Sequence, residues 1–78
     1  MDIKVLGPGC NNCVRLEANT REALADLGLT ASIEKVTDFP TIIGYGIMST
    51  PSLVVDGEVV SAGRVPSVAD IKQLIASI

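Results

Sequence analysis

Apolar and polar positions follow two different periods along this chain. Ile3-Lys4-Val5-Leu6 is a short, mostly apolar run closed by Gly7-Pro8-Gly9, which reads as a strand ended by a turn. From Asn11 the period lengthens. Cys13, Leu16, Thr20, Leu24 and Leu27 recur at spacings of three or four, while Arg15, Glu17, Arg21, Glu22 and Asp26 fall off that stripe. This pattern predicts an amphipathic helix. Glu17 precedes Arg21 by four positions, the favourable order for an ion pair on a helix surface. Gly28 is placed to stop the helix in a left-handed conformation.

Ala31-Ser32-Ile33 returns to alternation and predicts a second strand running to Val36. A helical crossover between two such strands implies a parallel, right-handed βαβ unit. Thr37 or Asp38 can cap a second helix with Pro40 in its first turn, and Gly44 and Gly46 predict that it is short. Ser52-Leu53-Val54-Val55 and Glu58-Val59-Val60-Ser61 flank Asp56-Gly57, a strong two-residue hairpin signal. Beyond Gly63 and Pro66, Ser67 and Asp70 have capping-box spacing. Val68, Ile71, Leu74, Ile75 and Ile78 then line one face of a final helix. The predicted order is β-α-β-α-β-β-α in a single domain spanning residues 1–78, with no linker or internal repeat.

Composition narrows the chemistry. A chain of 78 residues supports one small core, since a domain this size buries only about 60% of its unfolded surface. The hydrophobic fraction of 47% compensates, and it is aliphatic, with Phe39 and Tyr45 as the aromatics. Formal charge is −3 and the six basic residues are scattered, which excludes a phosphate-neutralising patch and a base-stacking platform. Nucleic acid is therefore not an expected partner. The richest late apolar segment, Ile42 to Val55, is broken by Gly44, Gly46 and Pro51 and is shorter than the roughly 20 residues of a membrane span. Met1-Asp2 leads directly into the first strand without the features of a signal peptide, so a cytoplasmic location away from membranes is expected. The chain contains no His, the usual general base and commonest metal ligand.

Two cysteines then stand out. Cys10-Asn11-Asn12-Cys13 falls where the first strand's turn enters a helix. Unsatisfied N–H groups of a first turn and the helix dipole favour a thiolate at Cys10, the attacking form of a thiol. Cys13 lies on the buried stripe and is expected to be shielded. Asn11 and Asn12 carry no charge, so they tune the pair only through hydrogen bonds and helix geometry. A C-x-x-C entering the helix of a βαβ pattern is a redox arrangement, in which Cys10 attacks a disulfide and Cys13 resolves the mixed disulfide.

The strand, Gly7-Pro8-Gly9-Cys10-Asn11-Asn12-Cys13, the helix, and Ser49-Thr50-Pro51-Ser52-Leu53 before a hairpin resemble the thioredoxin/glutaredoxin superfamily. Within it, the chain is most similar to the small single-domain thioredoxin-like redox-active disulfide proteins of bacteria and archaea, over nearly its whole length. The resemblance implies a minimal thioredoxin-like α/β fold with a four-stranded mixed sheet and three helices. It implies a monomeric protein disulfide oxidoreductase whose only cofactor is the Cys10–Cys13 disulfide. Its partners would be protein disulfide substrates and a dithiol or flavoprotein reductase as electron donor. It further implies that Pro51 is cis beside the cysteines and that Thr50 offers its backbone to an extended substrate. Pro8, Gly9, Met48 and Val65 would then line the docking groove. In thioredoxins a Trp precedes the first cysteine, where this chain has Gly9, and a buried Asp stands six positions before it, where this chain has Lys4. Lys4 is expected to be solvated or to face a sheet edge. Arg64-Val65-Pro66 follows Gly63 where glutaredoxins carry a glutathione-holding acidic residue, so glutathione is not the expected partner.

Three other readings compete with this one. The cysteines can simply pack in the core. Two thiolates can carry a soft metal of the Cu(I) or Zn type, although two Cys without His cannot supply a four-ligand zinc set from one chain. The pair can also act as a redox sensor in an interaction module, but so short a disulfide loop constrains the unfolded chain too little to be a staple.

Overall fold

The computed structural model describes residues 2–9, 11–47 and 49–77. The elements follow the expected order: β1 (Asp2–Leu6), α1 (Asn11–Leu27), β2 (Ser32–Val36), α2 (Phe39–Gly44), β3 (Ser52–Val55), β4 (Glu58–Ala62) and α3 (Val68–Ala76). The strands form one four-stranded sheet in the order β2-β1-β3-β4. β1 pairs parallel with β2, from Asp2↔Ser32 to Leu6↔Val36, and antiparallel with β3, from Ile3↔Val55 to Leu6↔Ser52. The sheet is therefore mixed, with β1 an inner strand.

Local chemistry sets the element ends. α1 stops at Gly28, whose φ is 68°, and the Leu29 N–H closes onto the Leu24 carbonyl at 3.0 Å. Asp38 rather than Thr37 caps α2, accepting from the Thr41 N–H at 3.1 Å and from its hydroxyl at 2.6 Å. Ser67 caps α3 through the Asp70 N–H at 3.2 Å. The β3–β4 turn places both Asp56 and Gly57 at positive φ, 51° and 83°, as a tight hairpin requires. Asp56 also exchanges hydrogen bonds with Asp2, which fastens the turn to the start of β1. β4 carries a bulge: its register passes from Val54↔Val59 to Leu53↔Ser61 and skips Val60.

Alternation within the strands splits the core in two. Ile3, Val5, Leu53 and Val55 face α1 and α3, where Leu16, Ala23, Leu24, Ile71 and Ile75 close over them. Leu6, Val36 and Val54 face the opposite way and meet Ile42 and Ile47, with Tyr45 and Val59 alongside. Fully buried residues such as Ile3, Leu6, Leu16 and Leu53 each contribute about 1.5–3 kcal/mol by leaving water. The buried Thr20 hydroxyl is satisfied by the Leu16 carbonyl at 2.7 Å. Asn19 ties α1 to the loop before α3 through the Pro66 carbonyl at 3.1 Å.

Two expectations need adjustment. Leu27 does not share the buried stripe; it is exposed at the last turn of α1, and Ala23 takes the inward place. Val65 is half-buried and packs against the α1–α3 core cluster. Lys4 lies on an inner strand, half-buried on the α2 face, with its Nζ donating to the Tyr45 hydroxyl at 3.3 Å. That hydrogen bond is the main reason its pKa is raised. Met48 and Ile78 lie outside the described residues, as does Cys10.

Leu16→Ala is expected to cost about 2–5 kcal/mol, the range for truncating a buried leucine, whereas Leu27→Ala should cost about 0.5 kcal/mol or less. Urea unfolding midpoints of the two variants measure this directly.

Candidate functional site

Three segments converge at the carboxyl end of β1. Pairing between β1 and β2 extends one residue past the strand, since the Gly7 N–H donates to the Val36 carbonyl at 2.9 Å. Pro8 and Gly9 then turn out into solvent, and Asn11 and Asn12 occupy the exposed first turn of α1. Cys13 turns inward and is only 6% exposed. Its sulfur lies directly over Gly7: a Cβ added there would overlap Cys13 Sγ and come within 3.8 Å of the Pro51 Cα. Any side chain at position 7 would fill the space the sulfur occupies. Here a close approach requires glycine, independent of backbone dihedral.

Pro51 is held from both sides. The Thr50–Pro51 peptide bond is cis, and Pro51 itself is buried. Its carbonyl accepts from the Gly63 N–H at 2.9 Å, and the Ser52 hydroxyl donates to the Ser49 carbonyl at 2.8 Å. Gly63 has φ 76°, and a Cβ there would lie 2.9 Å from the Ser49 Cβ, so the loop after β4 is closed tightly over the turn before β3. Thr50 is half-buried, and among the described residues no backbone hydrogen bond engages it.

Two depressions flank this junction. One, of about 120 Å³, is bounded by Val5, Gly7, Gly9, Cys13, Val14, Glu17, Lys35 and Thr37. Glu17 Oε1 meets Lys35 Nζ at 3.1 Å and Oε2 meets Arg21 Nη2 at 2.8 Å. The hydrogen bond from Arg21, then that from Lys35, holds the Glu17 carboxyl below the usual carboxylate range. The other depression, of about 350 Å³, lies between Thr50 and the α2 segment and is lined by Phe39, Ile42, Ile43 and Ile47.

Residues 1–76 match the model of the thioredoxin domain family. A thioredoxin of Methanothermobacter thermautotrophicus is 42% identical over 76 residues, covering 97% of this chain and 99% of that protein. A thioredoxin of Methanocaldococcus jannaschii is 36% identical over 75 residues, covering 96% of this chain and 86% of that protein. The chain belongs to the thioredoxin domain family. Thiol–disulfide oxidoreduction is accordingly its general chemistry.

Of the family positions expected from the sequence, Cys13 and Pro51 meet across Gly7, and Gly9 borders the same cleft as Cys13. Thr50 faces the second depression instead. Pro8 is exposed between Gly7 and Gly9 without itself lining either depression, and Cys10 and Met48 lie outside the described residues. Sequence reasoning missed four participants. Gly7 read only as a strand terminator, and nothing in the sequence marks the sulfur above it. Glu17 and Arg21 were legible as a helix pair, but Lys35 joins them only through the Val5↔Lys35 register. Phe39 and Ile43 carried a signal: they flank the inward Ile42 on a six-residue helix, and both are more than half exposed. No helix among the described residues is long and apolar enough to cross a membrane.

Gly7→Ala should destabilise the protein by about 1–3 kcal/mol, because the added methyl overpacks the Cys13 sulfur. Unfolding in urea reads this; an unchanged midpoint would contradict the close approach.

Proposed function

We propose that the chain reduces or exchanges protein disulfides through the Cys10-Asn11-Asn12-Cys13 dithiol, with Cys10 as nucleophile and Cys13 as resolving thiol. The observation that carries this reading is the burial of Cys13 in the first turn of α1 against Gly7 and beside Pro51. A shielded second cysteine reacts with a partner sulfur delivered to it and not with bulk oxidants. Cys10, the residue before α1 in the sequence, is the other half of the couple.

The Cys10 thiolate attacks one sulfur of a substrate disulfide. A Cys10–substrate S–S bond forms and the far substrate sulfur leaves as a thiolate. Cys13 then loses its proton and attacks the Cys10 sulfur; the Cys10–Cys13 bond forms and the second substrate thiolate leaves. Two electrons pass from the dithiol to the substrate. The disulfide is the only cofactor this needs, and a dithiol or flavoprotein reductase returns the electrons. In a cytoplasmic setting the direction is reduction.

Docking of substrate rests on Thr50 and Pro51. The Thr50 backbone, unengaged among the described residues, suits pairing with an extended segment, and the family resemblance assigns Pro8, Gly9 and Met48 to the same docking role. Asn11 and Asn12, exposed on the first turn, act on the couple through hydrogen bonds and helix geometry.

Cys10→Ser should abolish reduction of a model protein disulfide, while Cys13→Ser should trap substrate as a stable mixed disulfide visible by non-reducing electrophoresis. In the reduced native protein, Cys10 should alkylate on the order of tenfold faster than Cys13 or more. Equal alkylation rates would overturn this division of roles.

A further inference from the structure

Resolution of the mixed disulfide requires Cys13 to lose a proton while it is shielded from solvent. The chain has no His, and Lys4, the ionisable residue in the middle of β1, lies on the opposite sheet face beside Tyr45. Among the described residues, the titratable groups that border the cleft beside Cys13 are Glu17 and Lys35. We propose that Glu17 accepts the Cys13 proton, through water in the cleft they share, as Cys13 attacks the mixed disulfide at Cys10. This inference rests on the dithiol reading above.

The geometry supports a fixed acceptor. Glu17 lies one helical turn after Cys13 on α1, so both side chains lie on one face of the helix. Its side chain is 14% exposed, and Lys35 and Arg21 each hold one of its oxygens, at 3.1 and 2.8 Å. A carboxylate oxygen has lone pairs beyond one such contact, so a water can still be accepted. The cleft volume of about 120 Å³ exceeds the roughly 10–15 Å³ that one water needs. The charged groups facing Glu17 are Arg21 on its own helix and Lys35 from β2; β1 offers Val5, the turn after it offers Gly7, and the loop after β2 offers the neutral Thr37. The hydrogen bonds from Arg21 and Lys35 lower the Glu17 pKa, so the carboxylate is in its deprotonated, accepting form in the neutral range, although they also weaken it as a base.

The step balances. The Cys13 S–H bond breaks and its proton passes through water to Glu17. The Cys13 sulfur's electron pair forms the bond to Cys10, and the Cys10–substrate bond breaks with its pair leaving on the substrate sulfur. That thiolate, or solvent, later takes the proton from Glu17.

The test uses a chromogenic aromatic disulfide, which releases one coloured thiolate when Cys10 attacks and a second when Cys13 resolves. In Glu17→Gln the second phase should slow on the order of tenfold to a hundredfold near about pH 6.5, the scale of general-base assistance, with the first phase unchanged. The deficit should close as pH rises past the ordinary thiol value of about 8.5, where solvent supplies the thiolate. Glu17→Asp, which keeps a carboxylate, should restore part of the rate. A second phase in Glu17→Gln as fast as wild type, or slowed equally at every pH, would overturn the inference alone. Absence of any second release from the wild-type protein would overturn the dithiol reading and the inference with it.

Discussion

Everything at the site depends on the space above Gly7. A helix can begin directly over the end of a strand only if the strand's last residues leave room for the first buried side chain of that helix. Here the side chain is a cysteine, and its sulfur takes the volume any Cβ at position 7 would occupy. Pro51 borders the same space: its Cα lies 3.8 Å from where that Cβ would be, an ordinary van der Waals contact. One glycine thus joins the parallel βαβ half, which supplies Cys13, to the hairpin half, which supplies Pro51.

The sheet converts that local fit into a fixed geometry. β1 is paired along both edges, so the position of Gly7 is set by β2 and β3 together. The α1–α3 face is covered by two longer helices, whereas the opposite face has only the six-residue α2 with Ile42 and Ile47 beneath it. Helix cover of the two faces is therefore uneven. Cys13 sits on the well-covered side, and the apolar depression beside Thr50 opens on the thinly covered one. A chain this short closes one face of its sheet fully and leaves the other partly open, and the open face is where an extended partner can lie.

Most of the fold was legible because its signals are local. The change of period at Asn11, the Asp56-Gly57 turn and the Ser67 cap each involve residues within four positions of one another. Cys13 and Pro51 were legible as motif members by resemblance. What sequence could not supply was contact across strands. Glu17 and Lys35 are 18 positions apart and meet because the parallel register sets Lys35 beside Val5, on the face that α1 covers. Leu27 misled because a helical stripe near a chain reversal outruns the sheet it packs on, so periodicity continues where the core does not. Lys4 was misplaced for a related reason. A lone Lys in a short strand suggests an edge, but its partner Tyr45 lies 41 positions away and gives the ammonium a place on an inner strand.

The central claim is that Cys10 and Cys13 form one reversible two-electron couple. Equilibrating the protein against dithiol buffers of known potential, with metal excluded, measures it most directly. The account predicts a reversible disulfide with a reduction potential near or below the range of about −200 to −270 mV occupied by intracellular dithiol reductants. Failure to form any reversible disulfide between the two cysteines would contradict it.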